Sequence, residues 1–225
     1  SITQIQSELF KECSSLKEVY IPSSVDVIGR SAFESCSSLS SISIPSVKSI
    51  EGSAFQRCSS LKSIAFPSTL TQIITPAFGF CDDLESVSVH PNNAHFTVID
   101  GVMFDKQVTT LVLLPAADKR TEYTIPSTVT HLEAGTFSQC RLLTQIIIPS
   151  TITSIGINVF HGCSSLKQIT IPSSITSITQ GLFYDCSSLE SVSIPSTIRS
   201  IGDSAFFGCT RLEELSIPSS VTSIG

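Results

Sequence analysis

The 225 residues carry 41% hydrophobic and 14% charged side chains, enough apolar material for a continuous core. Lys and Arg number 13 against 19 Asp and Glu, a net charge of −6, which is the wrong sign for gathering phosphates and excludes nucleic acid as a partner class. The longest nearly unbroken apolar run, Leu111 to Ala117, contains Pro115 and falls far short of the roughly 20 residues of a membrane-spanning helix.

A fixed period organises the chain. Cys13, Cys36, Cys58, Cys81, Cys140, Cys163, Cys186 and Cys209 are separated by 23, 22, 23, 59, 23, 23 and 23 residues. Three residues before each stands a phenylalanine: Phe10, Phe33, Phe55, Phe78, Phe137, Phe160, Phe183 and Phe206. Pro22, Pro45, Pro67, Pro126, Pro149, Pro172, Pro195 and Pro218 keep the same beat. Self-similarity of this length is the mark of a solenoid, in which no single winding buries enough apolar surface to fold alone.

In chain order, Glu18 to Ile21 alternates outward and inward residues and predicts a strand with one buried face. Pro22 ends it, because a proline supplies no N–H to continue a ladder. Val25 and Ile28 point inward from a second, shorter extended segment. Ala32, Phe33 and Cys36 then fall at i, i+1 and i+4, which predicts one short helical turn facing the core. The pattern repeats to Cys81, giving parallel strands and about eight windings over the whole chain.

Between Cys81 and Cys140 the period breaks. Asp100-Gly101 between two alternating runs predicts a β-hairpin, with a third run from Thr109 to Leu114, inside an insertion spanning about 92–122. The insertion is either a spacer or a ligand-binding elaboration. From Tyr123 the repeat resumes. The sequence enters and leaves in mid-repeat, so residues 1–225 read as a fragment of one solenoid domain.

The cysteines and phenylalanines form the expected core ladder. One cysteine per winding at one phase places the thiols side by side, a geometry unsuited to the roughly 90° torsion of a disulfide, so reduced buried thiols are expected. Neither C-x-x-C nor paired-His spacing indicates a metal, and no cofactor motif is present. His90, His95, His131 and His161 lie at unrelated phases and read as surface residues. Asp82, Asp83 and Glu85 form an acidic turn that is either simply solvated or a weak cation site. No Ser-His-Asp order or phosphate loop suggests an enzyme.

A recognition surface, if present, should occupy the outward positions of the first strands. These are Glu18 and Tyr20, Ser41 and Ser43, Ser63 and Ala65, and Ser86 and Ser88. After the insertion come Glu122 and Thr124, Gln145 and Ile147, Gln168 and Thr170, Ser191 and Ser193, and Glu214 and Ser216. Tyr20, Ile147 and the glutamines stand out among small polar neighbours.

The I-P strand end, the following I-G, the A-F pair and the C-S-S-L run at Cys13, Cys36, Cys58, Cys163 and Cys186 resemble the BspA-like, or Treponema pallidum type, leucine-rich-repeat surface proteins. The resemblance implies a right-handed leucine-rich-repeat solenoid, β-rich, with adhesion or protein-binding roles at a cell surface. It implies a protein or extracellular-matrix partner and names none. The reduced cysteines and low charge leave open an intracellular scaffold packing into a larger assembly.

Overall fold

The computed structural model describes residues 1–225, which form two compact units: residues 1–107 with 112–118, and residues 108–111 with 119–225. Each is a stack of parallel-strand windings of the leucine-rich-repeat kind. No helix in either is long and apolar enough to cross a membrane.

In the first unit the short strands Gln4–Ile5, Val27–Ile28, Ser49–Ile50 and Gln72–Ile73 make one parallel sheet whose register sets Ile5, Ile28, Ile50 and Ile73 in a row. The longer strands Glu18–Tyr20, Ser41–Ser43, Ser63–Phe66 and Ser86–Val89 pair two by two instead of forming the unbroken ladder expected. Between the pairs the hydrogen bond from Lys62 N–H to Ser40 C=O stretches to 3.4 Å. Side chains alternate as the sequence dictates: Ile64 is buried between exposed Ser63 and Ala65. Proline carbonyls then close the following turn, Pro22 accepting from the Val25 N–H at 3.0 Å.

The second unit repeats the plan. Its short strands are residues 110–111 of the strand Thr110–Leu113, then His131–Leu132, Ser154–Ile155, Ser177–Ile178, Ser200–Ile201 and Ser223–Ile224, and its longer ones pair as Glu122–Thr124 with Gln145–Ile147 and Gln168–Thr170 with Ser191–Ser193. Four short strands in one unit and six in the other mark about 10 windings, where the cysteines alone indicated eight. The two extra windings lack the Phe-x-x-Cys punctuation: one, at Thr110–Leu113, lies in the insertion, and the other is marked by Ser223–Ile224.

The segments read as helical turns contain no helix. Around Phe33, alternate N–H groups go to different places. Those of Ala32, Glu34 and Cys36 close local turns on Gly29, Ser31 and Phe33, whereas those of Ser31, Phe33 and Ser35 reach Gly52, Ala54 and Gln56 in the next winding. Ser31 and Ser35 adopt φ of 53° and 61°, which interrupts any right-handed helix. Donation to the neighbouring winding thus replaces the bonds a helix would make along itself.

The core is mainly apolar and layered. In the first unit Phe10, Phe33, Phe55 and Phe78 stack with ring centroids 5.2–5.4 Å apart. In the second, Phe137, Phe160, Phe183 and Phe206 stack at 5.5–5.6 Å. The I-G glycine permits this close spacing: a Cβ on Gly156 would stand 2.5 Å from the Ala134 nitrogen. Four members of the predicted ladder are not fully enclosed. Cys13 is exposed, while Phe10, Phe206 and Cys209 are half-buried, since each lies toward the edge of its unit with less cover than mid-stack residues.

The hairpin forms between Phe96–Ile99 and Val102–Asp105, with Ile99 opposite Val102. Asp100 and Gly101 both have positive φ, 49° and 78°, as a tight two-residue turn requires. Buried Asn93 ties the hairpin to its unit. Its amide donates to the Pro67 and Leu70 carbonyls and accepts from the His95 and Phe96 N–H groups, all at 2.8–2.9 Å. The third run, Thr110–Leu113, lies next to Val102–Asp105 in the sheet, so the three runs form a meander. Thr110 and Leu111 pair in parallel with His131 and Leu132, while Val112 and Leu113 enter the first unit's core.

Candidate functional site

The thiols are positioned by the turn column. All eight are free. Six donate to a phenylalanine carbonyl of the preceding winding: Cys36, Cys58 and Cys81 to Phe10, Phe33 and Phe55 in the first unit, and Cys163, Cys186 and Cys209 to Phe137, Phe160 and Phe183 in the second, at 3.0–3.2 Å. The sequence predicted thiols acting as small hydrophobes, and the S–H bond is an addition that spacing alone does not reveal. Burial pushes the Cys36 and Cys209 thiols up to about 11 and Cys81 to about 12; Cys58, Cys163 and Cys186 are driven further in the same direction. Such thiols carry little thiolate at neutral pH and are poor nucleophiles.

Some turn hydroxyls bind the winding before them, while others, such as Ser68, Ser150 and Ser173, stay exposed to solvent. The bound ones donate to main-chain carbonyls 22 or 23 residues earlier: Thr69 to Val47 and Thr71 to Lys48 in the first unit, Thr151 to Val129, Thr197 to Ile175 and Thr222 to Arg199 in the second. On the outward face of the longer strands hydroxyls do not. Ser41, Ser43, Ser63, Ser86 and Ser88 in the first unit, and Gln145, Gln168, Thr170, Ser191 and Ser193 in the second, are exposed and make no intramolecular side-chain hydrogen bond. Their donors and acceptors are held in rows and left to solvent.

The second unit's rows are set by register. Glu122 stands beside Gln145, Thr124 beside Ile147, Gln168 beside Ser191 and Thr170 beside Ser193. A depression of about 350 Å³ runs over Gln145, Ile147, Gln168, Thr170, Ser191 and Ser193, with Ile147 51% exposed in its wall. In the first unit a groove of about 730 Å³ is lined by Ser43, Pro45, Ala65, Pro67, Ser88 and His90. Tyr20, 82% exposed, donates to the Glu18 carboxylate beside it.

Glu214 is misplaced by the sequence pattern. It is exposed but lies in no strand, because residues 213–217 form no ladder with Ser191–Ser193. Continued register would set Glu213 against Glu190, and like charges directly opposite weaken pairing.

A second aromatic column escaped the sequence reading: His161, Tyr184 and Phe207 stack at 4.6 Å, each one residue beyond a core phenylalanine. Their common phase was the available signal. His131 is exposed and its Nδ1 lies 2.6 Å from the Thr130 hydroxyl. No His, Asp or Glu hydrogen-bonds to a serine on the outward face of the longer strands, so no nucleophile–base pair is assembled on that face. Asp82, Asp83 and Glu85 do not gather into a cation site, and no three His, Cys, Asp or Glu residues are grouped to share a metal.

The profile of the BspA-type leucine-rich-repeat region matches residues 1–109 and 116–225 in six copies. A leucine-rich cell surface protein of Faecalibacterium prausnitzii is 31% identical over the whole chain, with a TM-score of 0.79, and the chain spans 63% of its length. A leucine-rich-repeat protein of Eubacterium ventriosum is 26% identical, with a TM-score of 0.61, over 99% of this chain and 78% of its own. The pneumococcal vaccine antigen PcpA shares the fold, with a TM-score of 0.82 at 22% identity, over 99% of this chain and 66% of its own. No curated protein matches the chain.

Proposed function

The chain belongs to the BspA-type leucine-rich-repeat family, and from that premise we propose that it is a non-catalytic interaction module displayed at a cell surface, binding a protein or matrix partner through its longer-strand faces. One observation carries the reading. The outward serine, threonine and glutamine side chains of the longer strands keep their donors and acceptors uncommitted and stand in register, Gln145 beside Glu122, Gln168 beside Ser191 and Thr170 beside Ser193. Held in rows by the strands, these groups form an ordered array that a partner can meet. The 31% identical Faecalibacterium protein, itself described as a cell surface protein, supports the location.

The eight free thiols favour a second reading, an intracellular scaffold, since thiols persist in reducing compartments. Burial of six of them weakens that inference, because enclosed thiols resist oxidation in any compartment. Labelling intact source cells with a membrane-impermeant amine reagent separates the two. Recovery of labelled protein supports display; a protein labelled only after lysis, and held in a detergent-insoluble fraction, overturns it in favour of the scaffold.

A further inference from the structure

Resting on the interaction reading above, we propose that the strand face of the second unit takes an extended polypeptide segment that carries a basic side chain two residues from an apolar one. The uncommitted groups of Gln145, Gln168, Thr170, Ser191 and Ser193 can each both donate and accept. An extended chain offers N–H and C=O groups alternately along its length, which groups of this dual character can meet.

Charge selects the partner's sign. The outward positions of this unit's four longer strands hold one ionised group, Glu122, and no Lys, Arg or His. Exposed Glu190 flanks Ser191. Of the nearby cations, Arg120 lies over the Tyr123 ring at 5.1 Å, and Lys167 stands at the strand edge. A polyanion finds no row of cations to neutralise it, whereas a basic side chain finds Glu122.

Spacing selects the sequence. Register makes Glu122 and Ile147 diagonal neighbours on one face, about 7–8 Å apart. Side chains i and i+2 of an extended chain lie about 7 Å apart and point the same way. A Lys or Arg over Glu122 therefore sets its i+2 neighbour on Ile147, the one large apolar group exposed on the four longer strands. A saccharide is a weaker fit, since no aromatic ring stands at an outward position to receive a pyranose face.

The test uses residues 1–225 and three probes in fluorescence anisotropy: a peptide repeating Lys-Thr-Val-Thr twice, its Glu-Thr-Val-Thr counterpart, and labelled dextran. The lysine peptide is expected to bind and the other two not. Glu122→Gln and Ile147→Ser, each checked for native circular dichroism, are expected to weaken binding at least fivefold. Binding indifferent to Ile147→Ser reduces the contact to unspecific charge and overturns the proposal, as does failure of the lysine peptide to bind. Dextran binding with neither peptide bound would refute a polypeptide ligand while leaving the interaction reading intact; that reading fails separately, in the cell-labelling experiment.

Discussion

Raising the pH should unfold this protein through its thiols. A buried thiol can lose its proton in the unfolded chain at about pH 8.5 but resists doing so when folded. The unfolded state therefore releases protons first, and stability present below that pH is lost as pH rises toward the folded values, about 11 for Cys36 and about 12 for Cys81, with Cys58 higher. Linkage removes about 1.4 kcal/mol per thiol per pH unit in this window, so at pH 10 each costs about 2 kcal/mol and the three in the first unit about 6. That is comparable with the whole stability of an ordinary domain, about 5–15 kcal/mol. Urea unfolding followed by circular dichroism at pH 8 and pH 10 measures the loss. Tyrosines and lysines also titrate there, so each protein is compared with itself: Cys58→Ala should lessen the drop by about 2 kcal/mol, and the triple change Cys36→Ala, Cys58→Ala, Cys81→Ala by about 6. Equal drops in wild type and triple variant would refute the assignment of these thiols to a mainly apolar interior.

A disulfide-exchange reagent at pH 8 should react at once with exposed Cys13 and with the enclosed thiols only on denaturation, counted by chromophore release; rapid reaction of mid-stack thiols would contradict their burial. Gly156→Ala forces a Cβ against the Ala134 backbone and should cost several kcal/mol, whereas Gly52→Ala, whose nearest neighbour is the Ile74 side chain at 3.6 Å, should be near neutral in the same urea assay. Cys163→Asp buries an unpaired carboxylate and should cost several kcal/mol against under about 0.5 for Ser41→Asp on the strand face; similar melting temperatures would mean the inside and outside are misassigned.

The period, the strands and the hairpin were legible because each is a local signal: alternation around Val19 or Ile169, proline at the strand end, Asp100-Gly101 at the turn. What was not legible depends on where a group points across windings. Ala32, Phe33 and Cys36 have the spacing of a helical turn, and nothing in those residues says that the Phe33 N–H leaves for Ala54. Ser31 and Ser35 adopt positive φ with no glycine to announce it. Counting windings by cysteine missed the one at Thr110–Leu113, which carries no Phe-x-x-Cys. At the candidate site, the outward positions could be read from alternation, but the distinction between Thr151, tied to Val129, and Thr170, untied, needed the neighbouring carbonyls in place.

Apart from the ion pairs Lys48–Asp26 and Lys11–Glu34, the side-chain bonds described between one winding and the one before it end on main-chain carbonyls. A carbonyl is supplied by whatever amino acid occupies the position, so a change in one winding seldom demands a matching change in the next. Individual windings can consequently drift in sequence, or be copied and inserted whole, without rewiring their neighbours. The exposed rows are thereby free to vary toward new partners while the stack beneath them stays the same.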